Sequence, residues 1–311
     1  MTAQEIVRKI DSLNLWDVAK QVNWAIKPCG TAIPYFCNIC GGQGPKQMHS
    51  IMLFEGWRTF QDFLCFLRDH DYGFYSSVEE FSHYAALIGD NGEISVFRVD
   101  PGRAPCDLTE SQAELFTKML WEVYGVMMRI ESDEHLTMKY ADERAIFARV
   151  ENKDGTWCDA PLSIPDICPH TEHFSIPVEE LKQVKDMPFV ADRTVEFDCR
   201  LTTLVEKANA SRRVYMTIGV DSANPSRAML LADTIDPDTG LRGIWETLPC
   251  RFMTMLRECK CVPGNIRVCS KRVFRLLRPL CSELPFRLSL NSALAGLDAH
   301  ADRICNRRGW S

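Results

Sequence analysis

The sequence lacks any long uninterrupted apolar stretch. No window approaches the roughly 18 uncharged apolar residues of a membrane-crossing helix, so we expect no transmembrane helix. The N-terminal residues MTAQEIVRKIDSLNLW mix charges with apolar residues at helical spacing, and they contain no apolar core of a signal peptide. We therefore expect a cytoplasmic protein with no membrane partner.

Complete catalytic motifs are also missing. GGQGPK, residues 41–46, is rich in glycine but lacks the Ser or Thr that a phosphate-binding loop places on Mg²⁺, and we interpret it as a hairpin loop. DPDTG, residues 236–240, resembles the start of a calcium loop without the final glutamate, and we interpret it as a turn. No Ser-His-Asp or Cys-His arrangement is supported by spacing. We predict no catalytic residue, no cofactor and no metal.

Cysteine, in contrast, is abundant. The chain has 14 cysteines, and without an export signal we interpret them as reduced thiols. Cys168, His170 and His173 are close together in CPHTEH and have zinc-binding side chains, but their spacing fits no common zinc module. Cys37 and Cys40 in CNIC have no second CxxC, and we place them on opposite faces of one strand. Metal binding by CPHTEH stays an alternative.

Length and charge indicate two domains. The chain has 311 residues, with apolar and charged fractions of 46% and 25%, which are ordinary for a globular protein. Residues 189–311 carry an excess of basic side chains, whereas the remainder is acidic. Five prolines fall between residues 158 and 188. We predict an N-terminal α+β domain at 1–157, a proline-rich linker at 158–188, and a C-terminal domain at 189–311.

The N-terminal domain shows several local signals. The first 25 or so residues have helical spacing, and IPYFCNICGG and HSIMLFEG are typical of strands. Asp90-Asn91-Gly92 lies between two β-rich runs, which predicts a hairpin. Thr109 precedes a long apolar-periodic stretch, so we expect it to cap the principal helix of this domain.

The C-terminal domain has the most regular pattern. Residues 194–201 alternate apolar and polar side chains, which predicts a central strand, and the element order over 189–311 reads β-β-β-α-β-α-β-α. We expect three antiparallel strands followed by parallel strands, with 265–270 parallel to the central strand and helices on both faces. This is the order of the ribonuclease-H-like fold, so the predicted class is α+β.

Parts of the chain resemble a known family. ISVFRVDPGRAPCDLTESQAELFTKML, PYFCNICGG and IRVCSKRVFRLLRPLCSELPFRLSLNSALAGLDAHADRI are similar to segments of a bacterial two-domain family whose domains are described as domains of unknown function. The resemblance implies no activity. That family commonly has an acidic residue after the strand where this chain has Ser270-Lys271.

A metal-dependent nuclease is the catalytic alternative. Such an enzyme needs carboxylates that converge on Mg²⁺, and in a ribonuclease-H-like fold they come from the first strand, the end of the fourth strand and a helix. Asp198 and Asp298 suit the first and last positions, although Asp198 could also be an ordinary exposed strand residue. The fourth strand ends in Cys269-Ser270, and a neutral hydroxyl is a poor substitute for a carboxylate.

A basic stripe is the other candidate site. Lys271, Arg272, Arg275 and Arg278 recur at helical spacing beside Phe274, Leu277 and Leu280, and Arg267 and Arg287 extend the surface. We predict that these six basic residues contact nucleic acid or another anionic partner; a solvated face is the alternative. The favoured function is a non-catalytic binding or assembly module. A further alternative is a structural partner that binds no nucleic acid. The sequence indicates no oligomeric state.

Overall fold

The structure is a computed structural model that describes residues 1–20, 22–41, 49–69, 81–133, 136, 145–164, 176, 178–206, 209–234 and 240–306. The chain divides into two compact units, with the main boundary between Cys168 and Pro169. Most of the predicted loop at 41–46 and of the predicted turn at 236–240 lies outside the described residues.

The first unit contains a seven-stranded sheet. Its strands are β1 (Trp24–Lys27), β2 (Tyr35–Cys40), β3 (His49–Glu55), β4 (His83–Ile88), β5 (Ile94–Val99), β6 (Ala145–Glu151) and β7 (Trp157–Ser163). Their order is β5-β4-β3-β2-β1-β6-β7, and all neighbours are antiparallel except β1 and β6.

The helices of this unit are α1 (Ala3–Ser12), α2 (Trp16–Ala19), α3 (Gly56–Asp69) and α4 (Glu110–Met127). The predicted cap of α4 is confirmed, since the Thr109 hydroxyl accepts a hydrogen bond from Gln112 N. The predicted hairpin is confirmed as well, because Gly92 has a φ of 74° and lies in the turn between β4 and β5.

Strand β7 lies in the stretch that the sequence assigns to the linker. It pairs with β6 along its length and forms one edge of the sheet, where Pro161 is opposite Phe147. An edge strand tolerates proline because one side of the strand needs no ladder hydrogen bond. The proline density that suggested a linker is therefore compatible with a strand at this position.

The second unit contains a five-stranded sheet. Its strands are β8 (Phe189–Glu206), β9 (Asn209–Asp221), β10 (Ala228–Thr234), β11 (Val262–Val268) and β12 (Arg287–Leu290). Its helices are α5 (Val178–Lys185), α6 (Gly240–Cys259), α7 (Lys271–Leu277) and α8 (Ala295–Asn306), and a 3₁₀ turn at Arg278–Ser282 follows α7. Two units of mixed helix and sheet confirm the predicted α+β class.

The order of the second sheet is β10-β9-β8-β11-β12, so β8 is central. Strands β8, β9 and β10 are antiparallel, whereas β11 is parallel to both β8 and β12. The register places Ile266 opposite Val195, which confirms the predicted parallel pairing of these two segments.

Both faces of this sheet are covered by packed side chains. Val195 and Phe197 of β8 pack into one core with Phe252 of α6. Ile218 of β9 packs on the other face against Leu297 of α8. Alternate residues of β8 therefore belong to two different layers, and this alternation decides where its polar side chains point.

Candidate functional site

Asp198 lies in the middle of β8, on the face of the sheet that carries α8. Its chain neighbours Phe197 and Cys199 belong to the core on the opposite face, under α6. Only 2% of Asp198 is exposed. The alternative of an ordinary exposed strand residue is therefore wrong, and a carboxylate buried to this degree requires partners.

The main partner is Arg200, two residues further along the same strand face. Its Nε donates to Asp198 Oδ2 at 3.0 Å, and its Nη1 donates to Asp298 Oδ1 at 2.7 Å. Asp198 Oδ1 also accepts from the Cys199 amide at 3.0 Å. The two aspartates that the sequence analysis singled out thus converge, but they converge on a guanidinium.

Burial dominates the electrostatics of this group. It raises the pKa of Asp198 above its ordinary value, and the Arg200 guanidinium opposes this rise without cancelling it. Burial alone would lower the pKa of Arg200, but the attraction to Asp198 and Asp298 raises it overall. Arg200 is therefore the permanent positive charge of the site.

The corner after β11 contributes Cys269 rather than Ser270. Ser270 is the N-cap of α7, and its hydroxyl accepts from Val273 N at 3.3 Å. Cys269 packs on the α8 face, and burial followed by the charge of Asp198 raises the pKa of its thiol to about 11. From this corner, Cys269 faces Asp198 and Asp298 as a protonated thiol.

A further carboxylate holds the start of α8. Glu196 Oε2 accepts from the Leu297 amide at 2.8 Å, and Asp298 Oδ2 accepts from the Leu294 amide at 3.1 Å. Both acceptors lie at the N-terminus of a helix, where free amides and the helix dipole favour negative charge. Glu196 and Asp298 therefore both stabilise the start of α8.

Candidate metal ligands are sparse in the parts of the chain that the structure describes. No group of three or more His, Cys, Asp or Glu side chains there is arranged to hold a metal ion. The cluster of Cys168, His170 and His173 lies outside the described residues. Cys37 and Cys40 lie on β2, three residues apart and hence on opposite faces, as predicted.

The predicted basic stripe begins at α7. Arg275 and Arg278 are exposed, whereas Lys271 and Arg272 are half-buried. The Arg272 guanidinium lies 4.7 Å from the ring centre of Trp245, a cation–π contact with α6. The buried side of this segment consists of Val273, Leu276, Leu277 and Leu280, which belong to the core that contains α6.

Arg267 and Arg287 lie on the other face of the sheet. Ile266 points into the core beneath α7, so its neighbour Arg267 points to the opposite face. Arg287 of β12 is in register with Asn265, which is on the same face as Arg267. Both arginines are exposed. The structure therefore separates the six predicted basic residues into two groups, one on each side of the sheet.

Part of the second unit is similar to a protein family. Residues 180–304 match the family Domain of unknown function (DUF6930). The match confirms the predicted resemblance to a family without assigned function. Neither the curated proteins nor the solved structures gave a match.

The DUF6930 match runs from α5 to near the end of α8, so it includes the whole group formed by Glu196, Asp198, Arg200, Cys269 and Asp298. Sequence reasoning missed Arg200 and Glu196 as members of this group. The signal was present, because both residues alternate with the core residues of β8 and share the face of Asp198. Among the described residues, no helix is long and apolar enough to cross a membrane.

Proposed function

We propose that this protein is a non-catalytic binding or assembly module of the bacterial cytoplasm, and that its second unit engages an anionic partner such as nucleic acid. The position of Arg200 between Asp198 and Asp298 carries the non-catalytic part of this proposal. Two-metal catalysis requires carboxylate oxygens that are available to cations. Here a fixed positive charge uses one oxygen of each aspartate and repels any divalent cation that approaches.

The topology supports a ribonuclease-H-like ancestry for this unit. Three antiparallel strands are followed by β11 and β12, both parallel to their neighbours, in the order β10-β9-β8-β11-β12. In that interpretation Asp198, Cys269 and Asp298 occupy the positions of a former metal site. The free cysteines of the described chain support a reducing, cytoplasmic environment.

The surface charge supports an anionic partner. Between Cys261 and Leu297 the chain has six basic residues and a single acidic one, Glu283. Glu283 already pairs with Lys185 at 2.6 Å. Excess positive charge at a protein surface attracts polyanions and makes their binding depend on salt.

A metal-dependent nuclease that uses Asp198 and Asp298 is the second candidate. One observation favours it, namely that both carboxylates approach the same point beside Cys269. The purified protein with Mg²⁺ or Mn²⁺ and mixed DNA and RNA distinguishes the two candidates. The proposed function requires no cleavage above that of a sample with Asp198→Asn. Cleavage that this substitution abolishes would establish the nuclease.

Binding is tested by fluorescence anisotropy with labelled oligonucleotides at ~50 mM salt. Arg275→Glu with Arg278→Glu should remove most of the binding while the fold stays intact. The matched control is Lys182→Glu with Arg227→Glu, which makes the same change of charge at two exposed positions of the same unit. The proposal would be contradicted if the control variant lost as much binding as the Arg275 and Arg278 variant. It would also be contradicted if the unchanged protein did not bind.

A further inference from the structure

Four of the predicted basic residues lie near one edge of the sheet in the second unit. Strand β12 is the last strand in the order and has only four residues. Arg287 lies on β12 itself, and Arg267 lies on the adjacent strand β11. The α7 segment, with Arg275 and Arg278, packs on the opposite face of the same two strands. Positive charge is therefore present on both sides of this edge.

The two arginines on the sheet face form a pair. Arg267 is in register with Ser289, and Arg287 is two residues before Ser289 on the neighbouring strand. Such diagonal neighbours on one sheet face are about 7–8 Å apart. Within the part of the chain that the structure describes, neither arginine has a salt bridge to an acidic side chain, and both are exposed. They are available to a ligand.

A rigid, rod-like ligand cannot contact the arginines on both sides of the sheet at once. A helix packed on a sheet is separated from the far face of that sheet by a complete layer of side chains and backbone. Duplex DNA has a persistence length of about 150 base pairs and does not bend around a single strand edge. A ligand that contacts both groups must be flexible and must cross the β12 edge.

We propose that the partner is a single-stranded nucleic acid that passes over the β12 edge and contacts Arg275 and Arg278 on one side and Arg267 and Arg287 on the other. Five of the six basic residues are arginines, whose planar side chains donate paired hydrogen bonds to phosphate oxygens. This inference rests on the proposed function and specifies its partner.

The test compares a labelled 20-nucleotide single strand with a 20-base-pair duplex as a function of salt. Three variants are used: Arg267→Glu with Arg287→Glu, Arg275→Glu with Arg278→Glu, and the control Lys182→Glu with Arg227→Glu. For the single strand, each of the first two pairs should reduce the slope of log affinity against log salt by about 1.4, the value for two lost phosphate contacts. For the duplex, only the pair on α7 should reduce the slope.

Several outcomes would overturn the inference. If the Arg267 and Arg287 pair affects single-strand binding no more than the control, no strand crosses the edge, although the proposed function survives through α7. If the duplex binds as tightly as the single strand, or if polyglutamate binds more tightly, the partner is of another class. No binding of any polyanion would overturn the proposed function as well. The glutamine versions of each pair, checked by circular dichroism, separate lost binding from lost folding.

Discussion

The Nη1 atom of Arg200 lies 2.7 Å from Oδ1 of Asp298, although 98 residues separate them in the chain. This contact joins the central strand β8 to the last described helix, α8. The same guanidinium holds Asp198, so one arginine compensates two carboxylates. Asp198 and Arg200 are buried, whereas Asp298 is half-buried. A buried ion pair is sensitive to the removal of one member.

Replacement of Arg200 by methionine should therefore be costly. The substitution leaves Asp198 buried beside Asp298 without a counter-charge, and we expect a loss of about 3–5 kcal/mol in the free energy of unfolding. Urea unfolding followed by circular dichroism measures this loss. The double variant Asp198→Leu with Arg200→Met removes the buried pair together and should cost less than the single variant. The control Arg227→Met changes an exposed arginine, and a similar effect there would show that the buried ion pair is not important for stability.

The candidate site could be predicted from the sequence only in part. The order of strands and helices was enough to name Asp198 and Asp298 as candidate ligands of the catalytic alternative, but it did not predict that they converge. It could not reveal that Arg200 reaches both, since the length and direction of a side chain depend on packing. The sequence analysis considered the Ser270 hydroxyl as the replacement for a metal-binding carboxylate. In the structure this hydroxyl caps α7, and Cys269 faces Asp198 instead.

The geometry of the corner leads to a prediction about engineered metal binding. Ser270→Asp should create no Mn²⁺ affinity, because an aspartate at this position replaces the serine as the helix cap. Cys269→Asp combined with Arg200→Gln should create it, since three carboxylates then face one point without a competing cation. Electron paramagnetic resonance of added Mn²⁺ measures the bound fraction. Binding by the Ser270 variant and not by the Cys269 variant would show that the corner has been assigned to the wrong residue.

Much of the fold was accessible from the sequence, because alternation in strands and apolar spacing in helices are set by burial. The parallel pairing of β11 with β8 followed from the helix between the preceding strands and β11. Strand β7 was missed because Pro161 and nearby prolines suggest irregular structure, and only the tertiary position at a sheet edge makes a strand compatible with proline.

The backbones of β8 and β11 approach each other closely at Gly264. A Cβ atom at this position would overlap with the backbone carbonyl of Ala191, at the point where the register between the strands shifts. Gly264→Ala should therefore destabilise the second unit by at least about 2 kcal/mol, since the backbone must move to accommodate the methyl group. Urea unfolding gives the value.

The control for this substitution is Gly125→Ala in α4, where a Cβ atom would have no neighbour within 4 Å. Because alanine has the higher helix propensity, this change should stabilise the protein by about 0.5–1 kcal/mol. The same glycine-to-alanine change should therefore destabilise the protein at position 264 and stabilise it at position 125. A neutral Gly264→Ala would mean that the two strands are not packed as closely as described.

The stability of the first unit should depend on pH through His83. This histidine is 1% exposed, and its Nδ1–H donates to the Phe81 carbonyl at 2.7 Å. Burial lowers its pKa from 6.5 to about 4, so the unfolded chain binds a proton more readily than the folded chain between these values. Stability is therefore complete above pH 6.5 and is lost as the pH falls towards 4, by about 3 kcal/mol in total.

Hydrogen exchange of the β4 amides between pH 7 and 4.5, corrected for the intrinsic exchange rate, reports this loss locally. His83→Gln keeps a donor for the Phe81 carbonyl but has no proton to bind in this range, so its stability should change less with pH than that of the unchanged protein. All other side chains are the same in the two proteins, so the difference between them reports on His83 alone. If the two proteins lose protection in parallel as the pH falls, His83 does not control the acid sensitivity of this unit.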